Sequence, residues 1–468
     1  RPIKTSSSIK PQFTGQIRAS LLDKALNLPI LPPPAKPMAS NNQPLPGFRD
    51  FPPRERLQSR YLFEIWKRVA KRYGFSEYEG PILESADLYL RKSGGELGEQ
   101  LFRFEDKGGR DVVLRPELTA SLARISAGQQ RDYPKPLKWF EIGRCFRYEK
   151  PQRGRLREFY QFNADILGEA SPAADAELIA LSIDVMRELG FGEDDFSIRL
   201  SDRQAWINFA QDHEIAPSNL DSFLQIVDKI ERDPAEKIKE KLKPFSIDLE
   251  TVRNFISTAG DSCSENLSEV LKDLGARNLN RFVEVDLSIV RGLAYYTGVV
   301  FEVFDSGKNL RSVAGGGRYD TLVSIVTDGS SDLAATGYAM GDCVISELIK
   351  EVPTALLQYQ AWLQTQATCE VYIVIADESK RSNALSLGHT IRDSGLAADW
   401  PLSPMKVNKQ FKAADHTLAR FALVVGSEFP DLKLKNLNSR TEETIPAGSN
   451  TIDVIKARLE APDGPLLA

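Results

Sequence analysis

The chain has 468 residues, and at roughly 150 residues per folding unit it holds two to four domains, each large enough for a core of its own. Lys and Arg number 60 and Asp and Glu 65, a net charge of -5, while 42% hydrophobic and 27% charged residues are the proportions of a soluble globular protein. These values exclude a disordered chain and a surface that blankets nucleic acid with positive charge, and no window approaches the roughly 18 consecutive apolar residues of a membrane helix.

Residues 1–45 carry Ser6, Ser7, Ser8 and the run Pro32-Pro33-Pro34, with Asp23 as their one acidic residue, so they bury little and are expected to form a disordered leader. The basic, acid-poor make-up also fits an organellar transit peptide, but Met38 supplies a start of its own. The preferred reading is therefore a cytoplasmic protein, with an organellar one as the alternative if residues 1–37 are a transit peptide. No apolar stretch with a small-residue cleavage site points to secretion.

From 54 to 74, Leu57, Tyr61, Leu62, Ile65, Trp66, Val69, Ala70 and Tyr73 recur every three to four residues, which predicts an amphipathic helix ended by Gly74. Residues 138–147 and 157–167 read as strands, and the charged, Gly-bearing stretch 149–155 between them makes a long antiparallel hairpin with a basic loop. A helix follows over 173–189, and 203–280, rich in Lys, Glu and Leu at helical spacing, reads as a helical insertion. Strands return at 282–285 and 298–304, then Gly315-Gly316-Gly317 and a helix over 342–350. Past a linker at 356–366, strands at 371–375 and 421–425 alternate with helices at 384–393 and 452–459, so 367–468 reads as a small α/β domain.

The densest chemistry lies in Phe146-Arg147-Tyr148-Glu149-Lys150-Pro151-Gln152-Arg153-Gly154-Arg155-Leu156-Arg157-Glu158-Phe159. Arginines converging from one hairpin present rigid forks of donors to a polyphosphate, and Phe159 and Tyr160 offer faces for a purine, which favours this reading over a plain solvated turn. Leu114-Arg115-Pro116-Glu117-Leu118-Thr119 sets a carboxylate and a hydroxyl just past a strand, a pair suited to an ammonium. Val290-Arg291-Gly292-Leu293-Ala294-Tyr295-Tyr296-Thr297-Gly298 joins a guanidinium to two phenols, and Ala314-Gly315-Gly316-Gly317-Arg318-Tyr319-Asp320 permits close backbone approach to a ligand or a simple turn. Neither a Rossmann nor a Walker pattern is present. Cys145, Cys263, Cys343 and Cys369 lie far apart without CxxC spacing, and His213, His389 and His416 are too few for a histidine-rich metal centre, so the thiols read as free and the imidazoles as surface or capping groups.

In this order the four stretches resemble histidyl-tRNA synthetases, which are class II aminoacyl-tRNA synthetases, from about Pro46 to Leu459. Pro46-Gly47-Phe48-Arg49-Asp50 with its helix is similar to the first class motif, the Phe-Arg-Tyr-Glu hairpin to the second, and the segments at 291–296 and 315–320 to the two signatures peculiar to the histidine enzymes. The resemblance implies an α+β fold: a class II antiparallel sheet with flanking helices and a helical insertion in a catalytic domain over 46–355, followed by an α/β anticodon-binding domain. It also implies a homodimer that joins L-histidine to tRNA-His with ATP and Mg2+.

Carried over residue by residue, Arg147 would contact the α-phosphate, Arg155 the γ-phosphate and Phe159 the adenine, with Glu149 beside them in the ATP site. Arg291 would be the principal catalytic residue with Arg147. Glu117, Thr119 and Gln161 would hold the amino group of histidine, with Asp165, Tyr295 and Tyr296 around its imidazole and Arg291 at its carboxylate. Two positions depart from the pattern: Val344 stands where the third class motif normally has an arginine over the adenine, and Ala294 where many relatives carry an acid. Both features are similar to a branch found in plant organelles and some bacteria. The runner-up is a non-catalytic paralogue that binds histidine and controls ATP phosphoribosyltransferase, a reading weakened by the terminal domain and by the presence of Arg147, Arg155 and Arg291.

Overall fold

A computed structural model of the chain describes residues 43–90, 98–258, 260, 263–290, 295–307 and 310–461. Two compact units divide between Tyr359 and Gln360. The leader expected at 1–45 lies almost wholly outside the described residues, as do Arg291 and Ala294.

In the first unit the helix Pro53–Arg72 buries Tyr61, Leu62, Ile65, Trp66, Val69 and Ala70, the stripe that the 3.6-residue period predicts. Pro53 sits in the first turn, where its missing N–H costs nothing, and Lys71 and Arg72 complement the negative end of the helix dipole. Gly74, at φ +78°, turns the chain into strand β1 (Ser76–Glu77). A small antiparallel sheet of β2 (Leu83–Ser85), β3 (Phe102–Glu105) and β4 (Asp111–Leu114) follows, and then the helix Thr119–Gln129.

The predicted hairpin is present as β5 (Leu137–Phe146) and β6 (Glu158–Leu167), paired from Leu137 opposite Leu167 to Phe146 opposite Glu158. They join β7 (Phe196–Asp202), β8 (Val283–Val285), β9 (Val299–Asp305), β10 (Ala314–Arg318) and β11 (Ala335–Gly341) in an eight-stranded sheet of order β1-β5-β6-β11-β10-β9-β7-β8. Of its seven pairings only β1 with β5 and β7 with β8 are parallel, so the expected antiparallel sheet with flanking helices is found.

Strand alternation gives the two faces different tasks. Phe162 stacks on Trp66 of the first helix at 5.5 Å and 12°, and Tyr160 meets Phe63 edge-on, so this parity is the packed face. Residues 159, 161, 163 and 165 point the other way. At the lower end of that second face Trp139, Leu167, Tyr295, Tyr296 and Tyr319 form a core with Leu122 and Leu322.

The triple glycine is strand, not turn. Gly316 lies between Phe301 and Tyr338 in the ladder, and a Cβ there would run into the Gly337 carbonyl and the Phe301 ring. The helical insertion is also smaller than 203–280. Helices Arg203–Asp212, Leu220–Val227, Ala235–Leu242 and Leu249–Thr258 share one core of Trp206, Phe209, Phe223, Ile238 and Val252, closed by Leu287. Helix Glu265–Ala276 instead packs on Pro172–Glu188 of the main body, because its apolar residues Leu267, Val270 and Leu274 face that way. Both kinds of helix have the same period, so pattern alone does not separate them.

In the segment read as a linker, 356–366, the chain is mostly the helix Pro353–Gln364. Its first part belongs to the first unit, where Tyr359 packs on Tyr61 at 5.0 Å and the Gln358 side chain donates to the Tyr61 hydroxyl at 3.2 Å. The second unit has parallel strands β12 (Val371–Ile375), β13 (Ala398–Asp399) and β14 (Phe421–Val425), extended antiparallel by β15 (Asp431–Asn436) and β16 (Glu442–Pro446) in the order β13-β12-β14-β15-β16. Helices Arg381–Asp393, Val407–Thr417 and Thr451–Glu460 complete an α/β unit. Among the described residues no helix is long and apolar enough to cross a membrane.

Candidate active site

The sheet face opposite Trp66 carries a cleft of about 280 Å³, near the lower end of small-molecule sites at roughly 300–1,000 Å³. Its floor is nearly bare of side chains. Gly337, Ala339 and Gly341 of β11 and Gly315 of β10 line it, so a bound molecule would lie against backbone, with long side chains rising on both sides. Gly337 has no alternative: a Cβ there would strike Asp165 and the Tyr319 ring.

One wall is β6. Phe159, Gln161 and Asn163 alternate along it into the cleft. Gln161 Nε2 donates to Asn163 Oδ1 at 2.6 Å, and Asn163 Nδ2 donates to Thr119 Oγ1 at 3.2 Å. Glu117 Oε1 accepts from the Ala120 N–H at 3.2 Å, which fixes the carboxylate at the start of helix Thr119–Gln129. Glu117, Thr119 and Gln161 therefore gather in one polar corner, with Asn163 as the connector. Asp165 is fully buried behind Gly337, and its Oδ1 accepts from the Tyr319 hydroxyl at 2.6 Å. Burial and the adjacent Asp165 charge push the Tyr319 phenol well above its ordinary range, so Tyr319 stays a protonated donor. Tyr319 lines the cleft beside Tyr295 and Tyr296, and the two neighbours have ring centres 4.9 Å apart.

The basic loop forms the upper end. Arg147 Nε donates to the Pro116 carbonyl at 2.9 Å, and its guanidinium lies 5.3 Å from the centre of the Phe159 ring. Arg155 Nη2 donates to Glu149 Oε1 at 2.7 Å while its Nε pairs with the second oxygen, a two-point clasp across the turn. The turn closes through mutual backbone bonds between Gln152 and Arg155, with Gly154 at φ +72° pressed against Val344. Arg49 anchors the end of the hairpin: it pairs with Asp342 at 2.8 Å, and Asp342 Oδ1 accepts from the Tyr160 N–H at 3.0 Å.

Of the residues singled out from sequence, Glu117, Thr119, Arg147, Glu149, Arg155, Phe159, Gln161, Tyr295 and Tyr296 line this one cleft; Asp165 stands behind it, and Arg291 lies outside the described residues. Sequence reasoning passes over Asn163, Glu302 and Arg311, and gives Tyr319 no role. The signal for Asn163 is present, since it continues the two-residue alternation of Phe159 and Gln161. The buried Arg115–Glu141 pair, 2.7 Å apart, is also missed; with Arg115 Nε on the Arg144 carbonyl at 2.9 Å it ties the corner to β5. None of the three histidines lines the cleft, and burial pushes the Cys343 thiol at its edge well up, so neither imidazole nor thiolate chemistry is supplied there.

The family model for histidyl-tRNA synthetase matches residues 47–342. The chain belongs to this family. A histidine–tRNA ligase of Opitutus terrae is 38% identical over 431 residues, covering 86% of this chain and 96% of that protein. The chloroplastic and mitochondrial histidine–tRNA ligase of Arabidopsis thaliana is 35% identical over 397 residues, 82% of this chain and 80% of that one. The crystal structure of histidyl-tRNA synthetase from Nostoc sp. PCC 7120 superposes with a TM-score of 0.70 at 24% identity, over 90% of this chain and 100% of that chain, so the two share a fold.

Proposed function

We propose that this chain is a histidine–tRNA ligase whose cleft activates L-histidine with ATP and then passes it to the 3' end of tRNA-His. The observation that carries the reading is the convergence, on one glycine-floored cleft, of a polar corner at Glu117, Thr119 and Gln161 with an arginine-bearing loop ending at Phe159. A carboxylate oxygen of histidine attacks the α-phosphorus, the bond to the bridging oxygen of the β-phosphate breaks, and pyrophosphate leaves. The terminal ribose hydroxyl of tRNA then attacks the carbonyl carbon, releasing AMP.

In this mechanism Arg147 neutralises the α-phosphate and Arg155 exchanges Glu149 for the γ-phosphate, while Phe159 stacks on the adenine. Glu117, Thr119 and Gln161 hold the ammonium, and Asp165, through Tyr319, orders the imidazole pocket with Tyr295 and Tyr296. Selection follows from the same groups, because a side chain that cannot pair with them leaves buried polar atoms unsatisfied. Arg291 keeps the role that the resemblance gives it, stabilising charge at the α-phosphate. Mg2+ bound to the nucleotide would neutralise phosphate charge, and Glu117, Glu149 and Glu302 are the carboxylates lining the cleft that would lie nearest to it; among the described residues no three His, Cys, Asp or Glu side chains gather to hold a metal.

The deciding experiment is exchange of labelled pyrophosphate into ATP with each amino acid in turn. Exchange with histidine alone is expected; folded protein that binds histidine without exchange would favour the regulatory paralogue. Arg291→Ala is expected to nearly abolish exchange without changing the unfolding midpoint. The reading extends to a cytoplasmic homodimer in which the second unit binds the anticodon, supported by the resemblance; sedimentation equilibrium tests the dimer.

A further inference from the structure

Arg311 precedes β10 with its side chain exposed, and among the described residues it makes no hydrogen bond or ion pair. It nevertheless lines the cleft together with Phe159 and Val344. The strand register says where. Gly341 pairs with Gln161 and Ala314 with Met340, so Val313 continues the row of Gly341. Arg311 lies two residues beyond Val313, as Phe159 lies two beyond Gln161. A single strand, β11, separates β6 from β10, which sets these two strands about 9.5 Å apart, two strand spacings, with Arg311 three residues ahead of the start of β10.

Gly341 floors the row of Gln161 and Val313, and in the next row the cleft is lined by the short side chains of Cys343 and Val344, the latter apolar and against Gly154. A flat ring in van der Waals contact on both faces needs about 7–8 Å, which this gap provides. Arg147 and Arg155 are held on the Phe159 side by the Pro116 carbonyl and by Glu149. Arg311 rises from the other wall, where no further cation lines the cleft among the described residues.

We infer that Arg311 forms the second wall of the nucleobase slot, its guanidinium lying over one face of the adenine while Phe159 covers the other. The inference rests on the proposed reading of the cleft as an ATP site and adds which residue supplies the cation over the purine. A guanidinium stacks on a π face as readily as it pairs with phosphate, and a site walled off from water strengthens that attraction.

The test is equilibrium titration of the full chain with ATP and, separately, with inorganic tripolyphosphate, comparing wild type, Arg311→Ala and Arg311→Lys. A base-stacking Arg311 predicts that Arg311→Ala weakens ATP about ten- to thirtyfold and leaves tripolyphosphate unchanged, with Arg311→Lys intermediate. Because the side chain is exposed, the unfolding midpoints are expected to coincide, and the KM for histidine in pyrophosphate exchange is expected to stay within about twofold. Equal weakening of ATP and tripolyphosphate would make Arg311 a phosphate ligand and overturn the inference, as would an unchanged ATP affinity. A wild-type chain that binds neither compound fails earlier, as an ATP site altogether.

Discussion

Asn163 makes no claim on a ligand in the sequence, yet it holds Gln161 and Thr119 in one arc by a donor and an acceptor of the same amide. Replacing it with Ala leaves two buried polar partners without their bond, at about 1–3 kcal/mol each. Asn163→Ala is therefore expected to raise the KM for histidine at least tenfold while ATP affinity stays near wild type, measured by exchange kinetics at varied histidine. Parallel losses for both substrates would mean that the arc supports the whole cleft instead. Residues with chemistry written in their type and spacing, such as Arg147, Arg155 and Phe159, are legible in the sequence itself. The pairings of Asn163 and Arg115 are not: alternation alone puts Asn163 on the cleft face, but the partners Thr119 and Glu141 lie 44 and 26 positions away and only folding brings them together. Arg115 and Glu141 are nearly without solvent, and Arg115→Met is expected to cost about 3–5 kcal/mol in chemical denaturation by stranding the carboxylate.

At the scale of elements, periodicity finds the long helix Pro53–Arg72 and the β5–β6 hairpin to within a residue or two. It leaves the glycines of β10 open between a turn and a close backbone approach, since a strand stripped of side chains has no alternation to read. Their reason is steric on one face and functional on the other: Gly316 meets the Phe301 ring, while Gly315 floors the cleft. Gly316→Ala should therefore lower stability by about 1–3 kcal/mol, the range of an overpacked core, seen as an earlier thermal midpoint. A variant as stable as wild type would show that the two strands can part at little cost. Periodicity also places helix Glu265–Ala276 in the insertion, for a related reason: amphipathic period reports that a helix has an apolar side, never which body that side meets.

Across the whole molecule, the cleft and the α/β unit fall in separate compact bodies. Their existence is legible from the switch to alternating strands and helices after residue 370, and the division between Tyr359 and Gln360 falls within the segment 356–366 read as a linker, although that segment is mostly the helix Pro353–Gln364, which has neither glycine nor a charged run to mark it. Tyr359 packs on Tyr61, so a chain ending at Gln364 keeps the first body's contacts and one ending at Pro353 removes them. The longer truncate is expected to retain histidine-dependent pyrophosphate exchange within a fewfold of full length and to charge tRNA at least tenfold more slowly. Unimpaired charging would remove the second unit from tRNA recognition.

The Glu149–Arg155 clasp has a bearing on traffic through the cleft. An empty anion site usually fills with whatever anion is at hand, and each arriving substrate must first evict it. On the proposed reading of Arg155 as a phosphate ligand, the loop carries its own tenant, tethered and neutralising, so inorganic phosphate would find the berth taken, while a triphosphate with several simultaneous grips would displace it. On that reading the same tenant would reclaim Arg155 as the far phosphates depart, which would make the carboxylate a built-in competitor for pyrophosphate at the step when the product must be let go.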